Sequence, residues 1–266
     1  MARIVIFDSG VGGLSIYQEI ARRLSEHKHE YVFVSDNFAY PYGIKDESEL
    51  NQRVLEVMRR IVAQYNPDLA VVACNTASTV VLPLLRAEFS FPVVGVVPAI
   101  KPAAAASTTG CIGLLATPAT IARSYTDQLI ADFAADCEVI RVGSIRLVEL
   151  AEQKLRGNLV SVEEIEAELQ AVIDRPDCDV LVLACTHFPL LNNEISNIFH
   201  VKSHSIQLMD SGVGIANRVV SLLYEAEITE SPQSSSQAVF TREIEGSTNF
   251  VKNLAQLGLD YSGCLQ

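Results

Sequence analysis

Cysteine is scarce in this sequence, and the arrangements that would give it an obvious structural role are missing. The 266 residues include six cysteines, which is too few for a disulfide framework in a chain of this length. No two of them form a C-x-x-C pair, and no histidine joins them at the spacing of a zinc site. We therefore expect a reduced, cytoplasmic protein that binds no metal.

Positive charge and long apolar runs are also in short supply. Lys and Arg number 20 against 32 Asp and Glu, which gives a net charge of −12, so long-range electrostatics disfavour a nucleic acid partner. Apolar runs are interrupted by charge, Gly or Pro, and none predicts a membrane span. The first residues, MARIVIFDSG, predict a strand and do not resemble a signal peptide. The G-x-x-x-x-G-K-[ST] and G-x-G-x-x-G motifs are absent, which argues against a nucleotide enzyme.

The sequence does contain a regular alternation of short apolar strands and longer amphipathic patterns. Strands are predicted at 3–7, 31–34, 69–73, 93–97, 112–116, 138–142, 179–184 and 206–209. Helices are predicted near 13–25, 46–65, 76–88, 118–134, 145–155, 162–174, 190–198 and 211–225. Continuous apolar strands that alternate with helices indicate an α/β fold whose mainly parallel sheets are covered on both faces.

The order of these patterns predicts two pseudo-symmetric α/β domains. Pro98 and Pro102 mark a crossover, so we assign residues 1–97 plus 207–266 to a first, discontinuous domain and residues 98–206 to a second. The string Asp-Ser-Gly-Val-Gly occurs at 8–12 and again at 210–214, each time after a short apolar strand. After a polar linker at 231–237, a late strand and a short helix are expected to pack on the surface.

Two strands end in Ala-Cys followed by a polar pair. Cys74 is followed by Asn75 and Thr76, and Cys185 is followed by Thr186 and His187. In open α/β sheets, ligands bind beyond the carboxyl ends of the strands. A buried cysteine is usually a small hydrophobe, but a helix start can lower a thiol pKa from about 8.5 towards neutrality. We therefore expect both thiols to exchange protons near neutral pH.

Two thiols on opposite sides of one substrate carbon would form a two-base device. One thiol would remove a proton from one face of a carbon acid, and the other would return a proton to the opposite face. Asp8 and His187 are candidates to tune one thiol each, although Asp8 could also be a helix cap and His187 a surface histidine.

Several further side chains could bind a small dianion near the two thiols. Hydroxyl and amide groups are donors that carboxylates accept, and the glycine of the Pro41-Tyr42-Gly43 turn would permit close approach of a ligand. Each of these residues singly could equally be a turn or cap residue. The donors are Ser9, Asn75, Thr76, Thr117, Thr120 and Thr186.

Five segments, taken in this order, resemble the glutamate racemases of the cofactor-independent aspartate/glutamate racemase superfamily. They are FDSGVGGLS, PYG, ACNTAS, GLLATPAT and ACTHFPLL, and the resemblance covers roughly residues 1–225. Residues 142–152 read VGSIRLVELAE where many relatives have Ala-Cys-Pro, which resembles the Gram-negative branch.

The resemblance implies a two-domain fold with the active site in the inter-domain cleft, and interconversion of L- and D-glutamate without a cofactor. It also implies D-glutamate supply for peptidoglycan, a homodimer and, as in some relatives, activation by a UDP-linked muramoyl peptide. Cys74 would handle the α-proton of D-glutamate and Cys185 that of L-glutamate. The matching contact positions are Asp8, Ser9, Tyr42, Gly43, Asn75, Thr76, Thr186 and His187, with Thr117 and Thr120 as further active-site threonines and Pro41 and Glu149 as additional candidates.

Other functions stay open at this point. The same thiol pair could act on aspartate, hydantoin or a maleate-type acid. A non-catalytic α/β module that binds small anions is a second class, although both cysteines are present. A Cys-His hydrolase would leave the second thiol idle.

Overall fold

The fold was analysed in a computed structural model that describes residues 2–26, 29–225, 235–244 and 248–266. The strands are β1 Arg3–Asp8, β2 Glu30–Ser35, β3 Leu69–Val72, β4 Val93–Gly95, β5 Cys111–Ala116, β6 Glu138–Gly143, β7 Val180–Leu183, β8 Gln207–Met209, β9 Gln237–Phe240 and β10 Asp260–Cys264. The helices are α1 Leu14–Arg23, α2 Glu47–Tyr65, α3 Asn75–Ser78, α4 Leu82–Glu88, α5 Ile100–Ala106, α6 Pro118–Ile121, α7 Ser124–Phe133, α8 Arg146–Leu155, α9 Val162–Glu168, α10 Gln170–Ile173, α11 Asn192–Val201, α12 Gly212–Glu225 and α13 Thr248–Gln256. Short 3₁₀ turns lie at Tyr42–Ile44 and Phe188–Leu191.

The strands form two parallel sheets, as the α/β prediction requires. The first sheet has the order β10-β9-β2-β1-β3-β4 and the second has the order β6-β5-β7-β8. Every strand pair in both sheets is parallel. Alternate residues of β1 enter different cores, Ile4 and Ile6 on one face and Val5 and Phe7 on the other. Burial of both faces explains why the strands read as continuous apolar runs.

The strand order places a switch point in each sheet. In the first sheet β2 and β3 flank β1, and in the second sheet β6 and β7 flank β5. A crevice opens where consecutive connections leave a central strand in opposite directions, and ligands bind there. Cys74 lies just beyond β3 and Cys185 just beyond β7, so each belongs to a strand at a switch point.

Several predicted helices are interrupted in the structure. The predicted helix at 76–88 consists of α3 and α4, that at 118–134 consists of α6 and α7, and that at 162–174 consists of α9 and α10. Pro83 lies in the first turn of α4, where its missing N–H is tolerated, and so marks a new helix start. The Ala-rich segment behind Pro98 forms α5, which the sequence analysis did not predict.

The carboxy-terminal segment extends the first sheet rather than lying on its surface. Strand β9 pairs with β2, and β10 pairs with β9. Ala238 and Val239 are fully buried, and Phe240 contacts Phe250 of α13 edge-on. The predicted polar linker at 231–237 falls largely outside the described residues. Strand β8 pairs with β7, so the second sheet extends to Met209, three residues beyond the proposed boundary at 206.

No helix in the described ranges is long and apolar enough to cross a membrane.

Candidate active site

Cys74 and Cys185 line the same cavity, between the carboxyl ends of the two sheets. Both thiols are almost completely buried, with 5% and 6% exposure. The lining of the cavity consists of Asp8, Ser9, Pro41, Tyr42, Gly43, Cys74, Asn75, Thr76, Thr117, Ile145, Val148, Cys185, Thr186 and His187.

Asp8 is the buried acid on the Cys74 side. Its carboxylate accepts hydrogen bonds from the backbone N–H of Ser9 at 2.6 Å, from that of Gly13, and from Thr186 Oγ1 at 3.0 Å. Burial raises the pKa of Asp8, although the positive charge of His187 and these hydrogen bonds act in the opposite direction. The bond from Thr186 joins the two sheets across the cavity.

Cys74 is held as a neutral thiol in this environment. Burial, and next the negative charge of Asp8, raise the pKa of Cys74 well above its ordinary value. The N–H of Ala77 and the Ser9 hydroxyl, 3.7 Å from Sγ, oppose this only in part. The expectation of a thiol tuned to neutrality is wrong for Cys74, because α3 spans only four residues and sums few peptide dipoles.

His187 is the partner of Cys185. Its Nδ1 lies 3.8 Å from Cys185 Sγ and its Nε2 lies 2.9 Å from Glu152 Oε1. Burial would lower the pKa of His187, but the hydrogen bonds with Cys185 and Glu152 outweigh burial and raise it well above the usual value. Burial likewise opposes ionisation of Glu152, yet its contacts with His187 lower its pKa. The pair is therefore an imidazolium next to a carboxylate, beside the Cys185 sulfur.

Glu152 is the functional residue that the sequence analysis missed. Its Oε1 also accepts from the backbone N–H of Val11 at 2.8 Å, so it ties α8 to the loop after β1. The predicted acid, Glu149, is exposed and lies one turn earlier on α8, outside the cavity lining, where it pairs with Arg146 at 2.7 Å. Residues three apart share a helix face, so the sequence pattern alone did not distinguish the two acids.

Threonine hydroxyls and an amide form a polar wall of the cavity. Thr76 Oγ1 lies 2.9 Å from Thr117 Oγ1 and 3.2 Å from Thr120 Oγ1, so α3 and α6 meet through hydroxyl groups. Thr120 supports this cluster from behind and does not line the cavity. Asn75 Nδ2 is buried and has no hydrogen-bond partner in the described parts of the chain. A buried donor without a partner is unfavourable, and an anion in the cavity would satisfy it.

The Pro41–Gly43 turn contributes backbone and a ring face to the cavity. The Tyr42 hydroxyl donates to Asp36 Oδ2 at 2.6 Å, so the polar end of this side chain is already engaged. A Cβ at Gly43 would lie 2.9 Å from Ile145 and Thr117, which explains why only glycine fits here.

The second Asp-Ser-Gly-Val-Gly string lies at a different kind of position. Asp210 Oδ1 accepts from the N–H of Gly212 at 2.7 Å at the start of α12, and Ser211 Oγ donates to the carbonyl of Val97. Neither residue lines the cavity. The repeat therefore conserves the turn after a strand, whereas only the first copy contributes to the site.

One group of residues has the geometry to attract a metal ion among those the structure describes. Cys111, Glu138 and Asp177 place their ligand atoms within 4.8 Å of one another, and none of the three lines the cavity. Arg175 donates to both carboxylates and lies 3.5 Å from the Cys111 sulfur. A guanidinium thus already supplies the positive charge in this cluster.

The chain belongs to the Asp/Glu/Hydantoin racemase family, whose model matches residues 4–216. Within that family the chain is similar to several glutamate racemases. It is 52% identical over 221 residues to glutamate racemase of Salmonella typhimurium, covering 83% of this chain and 76% of the relative. The glutamate racemase of Vibrio cholerae matches with the same identity and covers 80% of the relative. The crystal structure of Escherichia coli glutamate racemase in complex with L-glutamate and the activator UDP-MurNAc-ala superimposes with a TM-score of 0.92, at 43% identity over 99% of this chain and 98% of that one.

Proposed function

We propose that this protein interconverts L- and D-glutamate and so supplies D-glutamate for peptidoglycan. The observation that carries the proposal is that two buried cysteines, one from each sheet, line a single small cavity. The family and the glutamate racemases to which the chain is similar support the same reaction. The reaction inverts one carbon, for which two proton-transfer groups on opposite faces suffice.

In the direction from L-glutamate, Cys185 acts as the base. Its thiolate removes the α-proton, and the electron pair of the broken C–H bond is delocalised into the α-carboxylate. The imidazolium of His187, 3.8 Å from the sulfur, is the cationic partner that a thiolate base requires. Glu152 holds the imidazole in place and stabilises its charge.

Cys74 completes the inversion as the acid. Its thiol gives a proton to the opposite face of the α-carbon, which forms D-glutamate and leaves Cys74 as thiolate and Cys185 as thiol. Since burial and Asp8 raise the pKa of Cys74, the free enzyme holds the proton that this step needs. The reverse reaction exchanges the two roles, with Cys74 as base and Cys185 as acid.

The polar wall holds the carboxylates during proton transfer. The Asn75 amide, the hydroxyls of Thr76 and Thr117 and the Gly43 backbone belong to residues that line the cavity and can donate to a carboxylate. Fixing both carboxylates places the α-carbon between the two sulfurs, with its C–H bond directed at the one that acts as base. Aspartate, hydantoin or a maleate-type acid is the alternative substrate class, and Cys-His hydrolysis or anion sensing would leave one thiol without a task.

The test is chiral chromatography of L-glutamate incubated with the pure protein in D2O. D-glutamate that carries deuterium at Cα is expected, and product that retains the original α-hydrogen would rule out the two-base mechanism. Cys74→Ser and Cys185→Ser should each slow racemisation by about 10²- to 10⁴-fold, the range for a lost acid or base.

The control for these substitutions is Cys264→Ser, which removes an exposed thiol and should leave the rate unchanged. Faster racemisation of aspartate than of glutamate would assign the protein to the alternative substrate class.

We further propose that the enzyme works in the cytoplasm as a homodimer of two-domain subunits and responds to a UDP-linked muramoyl peptide. The activator named with the Escherichia coli relative supports this last point. The same chromatographic assay with and without that precursor tests activation, and unchanged rates at saturating precursor would exclude it.

A further inference from the structure

Tyr40 belongs to the first half of the chain, but its ring contacts active-site residues of the second half. It follows β2 in the chain, immediately before the cavity residue Pro41. Its ring nevertheless packs against the apolar cluster of the second sheet that contains Val148 and Cys185. The ring centroid lies 6.2 Å from that of His187, with the planes tilted by 45°.

The ring closes the space around the His187–Glu152 pair. A Cβ built on Gly10 would lie 2.4 Å from Glu152 Oε1, 3.0 Å from His187 Nε2 and 3.0 Å from Tyr40 Cδ2. The Gly10 backbone, the ion pair and the Tyr40 ring therefore meet at one point with no room for a side chain. The two charged side chains are 3% and 10% exposed, so little water reaches them.

The Tyr40 hydroxyl takes no visible part in this arrangement. It is buried and finds no hydrogen-bond partner in the ranges that the structure describes. Burial, and next the negative charge of Glu152, raise the pKa of Tyr40 far above its ordinary value, so the phenol stays neutral. The contribution of Tyr40 to the site is thus its apolar ring.

We propose that Tyr40 is a positioning residue whose ring seals the His187–Glu152 pair from water and thereby keeps His187 cationic next to Cys185. Charge interactions weaken sharply when water enters between them. The groups that face His187 are Cys185 in its own segment, Glu152 on α8, Asp8 at the end of β1 and the neutral Tyr40. Arg156 lies 3.5 Å from the other oxygen of Glu152. This inference rests on the proposed function, because it assigns Tyr40 a part in the Cys185 half-reaction.

Removal of the ring has two opposing effects on His187. Hydration favours the charged imidazole, whereas screening of Glu152 and Cys185 disfavours it. Because the interactions with these two partners outweigh burial in the intact site, admitting water should move the pKa of His187 down towards its ordinary value. The direction distinguishes a seal from a residue that only fills space.

The experiment is an NMR titration of the imidazole of His187, assigned by its loss in His187→Gln, together with the pH profile of kcat/KM. In Tyr40→Ala we expect the midpoint of the His187 titration to shift down by about one pH unit. The basic limb of the kcat/KM profile should shift with it, which means about a tenfold loss of kcat/KM on that limb. Tyr40→Phe keeps the ring and should retain the wild-type titration. If the Tyr40→Ala variant does not fold, Tyr40→Leu replaces it, and a smaller shift in the same direction is expected.

The matched control is Phe38→Ala, which removes an aromatic ring of the same loop that is 64% exposed and should leave the titration and the rate unchanged. An unshifted His187 in both Tyr40→Ala and Tyr40→Leu would overturn the inference, and so would an equal shift in Tyr40→Phe. A wild-type protein without racemase activity would count against the proposed function, while the NMR result would still decide whether Tyr40 seals the pair.

Discussion

At the scale of single residues, the site is asymmetric although its two cysteines look alike in the sequence. Cys74 is next to a buried carboxylate and keeps its proton, whereas Cys185 is next to a buried imidazolium. The asymmetry arises from contacts across the cavity, such as that between Thr186 and Asp8. Two similar strand ends can therefore supply an acid and a base at the same time.

The ion pair of Glu152 and His187 predicts a specific pH dependence of stability. Glu152 has a lowered pKa, so its contribution is present above its unfolded value of 4.5 and is lost as the pH falls. His187 has a raised pKa, so its contribution is complete below its unfolded value of 6.5 and is lost as the pH rises through the folded value. The contribution of the pair is therefore largest between these two pH values.

Glu152→Gln should accordingly lower the free energy of unfolding most in that window, by about 3 kcal/mol, as expected when one partner of a buried pair is removed. Urea unfolding of both proteins from pH 4 to 9 measures this difference. The exposed Glu149→Gln variant on the same helix is the control and should show a loss below about 1 kcal/mol. A difference for Glu152→Gln that does not change with pH would contradict the assigned charges.

At the scale of elements, the loop after β1 lies so close to His187 of the second half of the chain that Gly12 has no room for a side chain. A Cβ at Gly12 would lie 2.4 Å from His187 Nδ1 and 2.7 Å from the backbone nitrogen of His187. Gly214 occupies the equivalent place in the second Asp-Ser-Gly-Val-Gly string, and a Cβ there would meet nothing within 4 Å. The repeated string thus offers a matched pair of substitutions.

Gly12→Ala should reduce racemisation by about 10²-fold, because a displacement of about 1 Å at His187 is enough for such a loss. Gly214→Ala should leave the rate unchanged and raise the free energy of unfolding by up to about 1 kcal/mol, since the residue lies in α12. Racemisation rates and thermal unfolding of both variants test this. Equal racemisation rates for the two variants would show that the close contact between Gly12 and His187 is not required for activity.

The elements also show what the sequence could and could not predict. Strands such as β1 and β7 were placed correctly, because burial on both faces leaves a long apolar signature that few other structures produce. Helix interruptions were missed, because the amphipathic pattern at 118–134 does not mark the break at residues 122–123 between α6 and α7. Glu152 was missed because its partner is 35 residues away in the chain. Local patterns therefore predict elements better than partners.

At the scale of the whole molecule, the carboxy-terminal segment is connected to the cavity through a buried carboxylate. Asp36 is fully buried and receives two hydrogen bonds from Arg53, at 2.8 and 2.6 Å. Tyr42 donates to it from the cavity side and Thr241 from beyond β9, at 2.6 and 2.7 Å. The carboxy-terminal segment therefore helps to hold the Pro41–Gly43 turn.

Thr241→Val should lower the free energy of unfolding by about 2 kcal/mol, the usual cost of losing a hydrogen bond to a charged group. It should also raise the KM for glutamate more than it lowers kcat, because Asp36 positions Tyr42 and does not touch the reacting carbon. Denaturant unfolding and steady-state kinetics measure both effects. The control is Ser262→Ala, which removes an exposed hydroxyl of the same segment, 3.5 Å from the carbonyl of Asp260, and should change neither the stability nor the KM. Wild-type stability and kinetics in Thr241→Val would refute the connection between the carboxy-terminal segment and the cavity.

The position of β9 and β10 in the first sheet has a consequence for biosynthesis. Strand β2 is made among the first 35 residues, but its neighbour β9 emerges from the ribosome about 200 residues later. At roughly 5–20 residues per second, the edge of β2 stays open for about 10 to 40 seconds in the nascent chain. Open strand edges invite pairing with other polypeptides. The open edge of β2 is therefore a site at which a newly made chain can aggregate until Phe240 has been added.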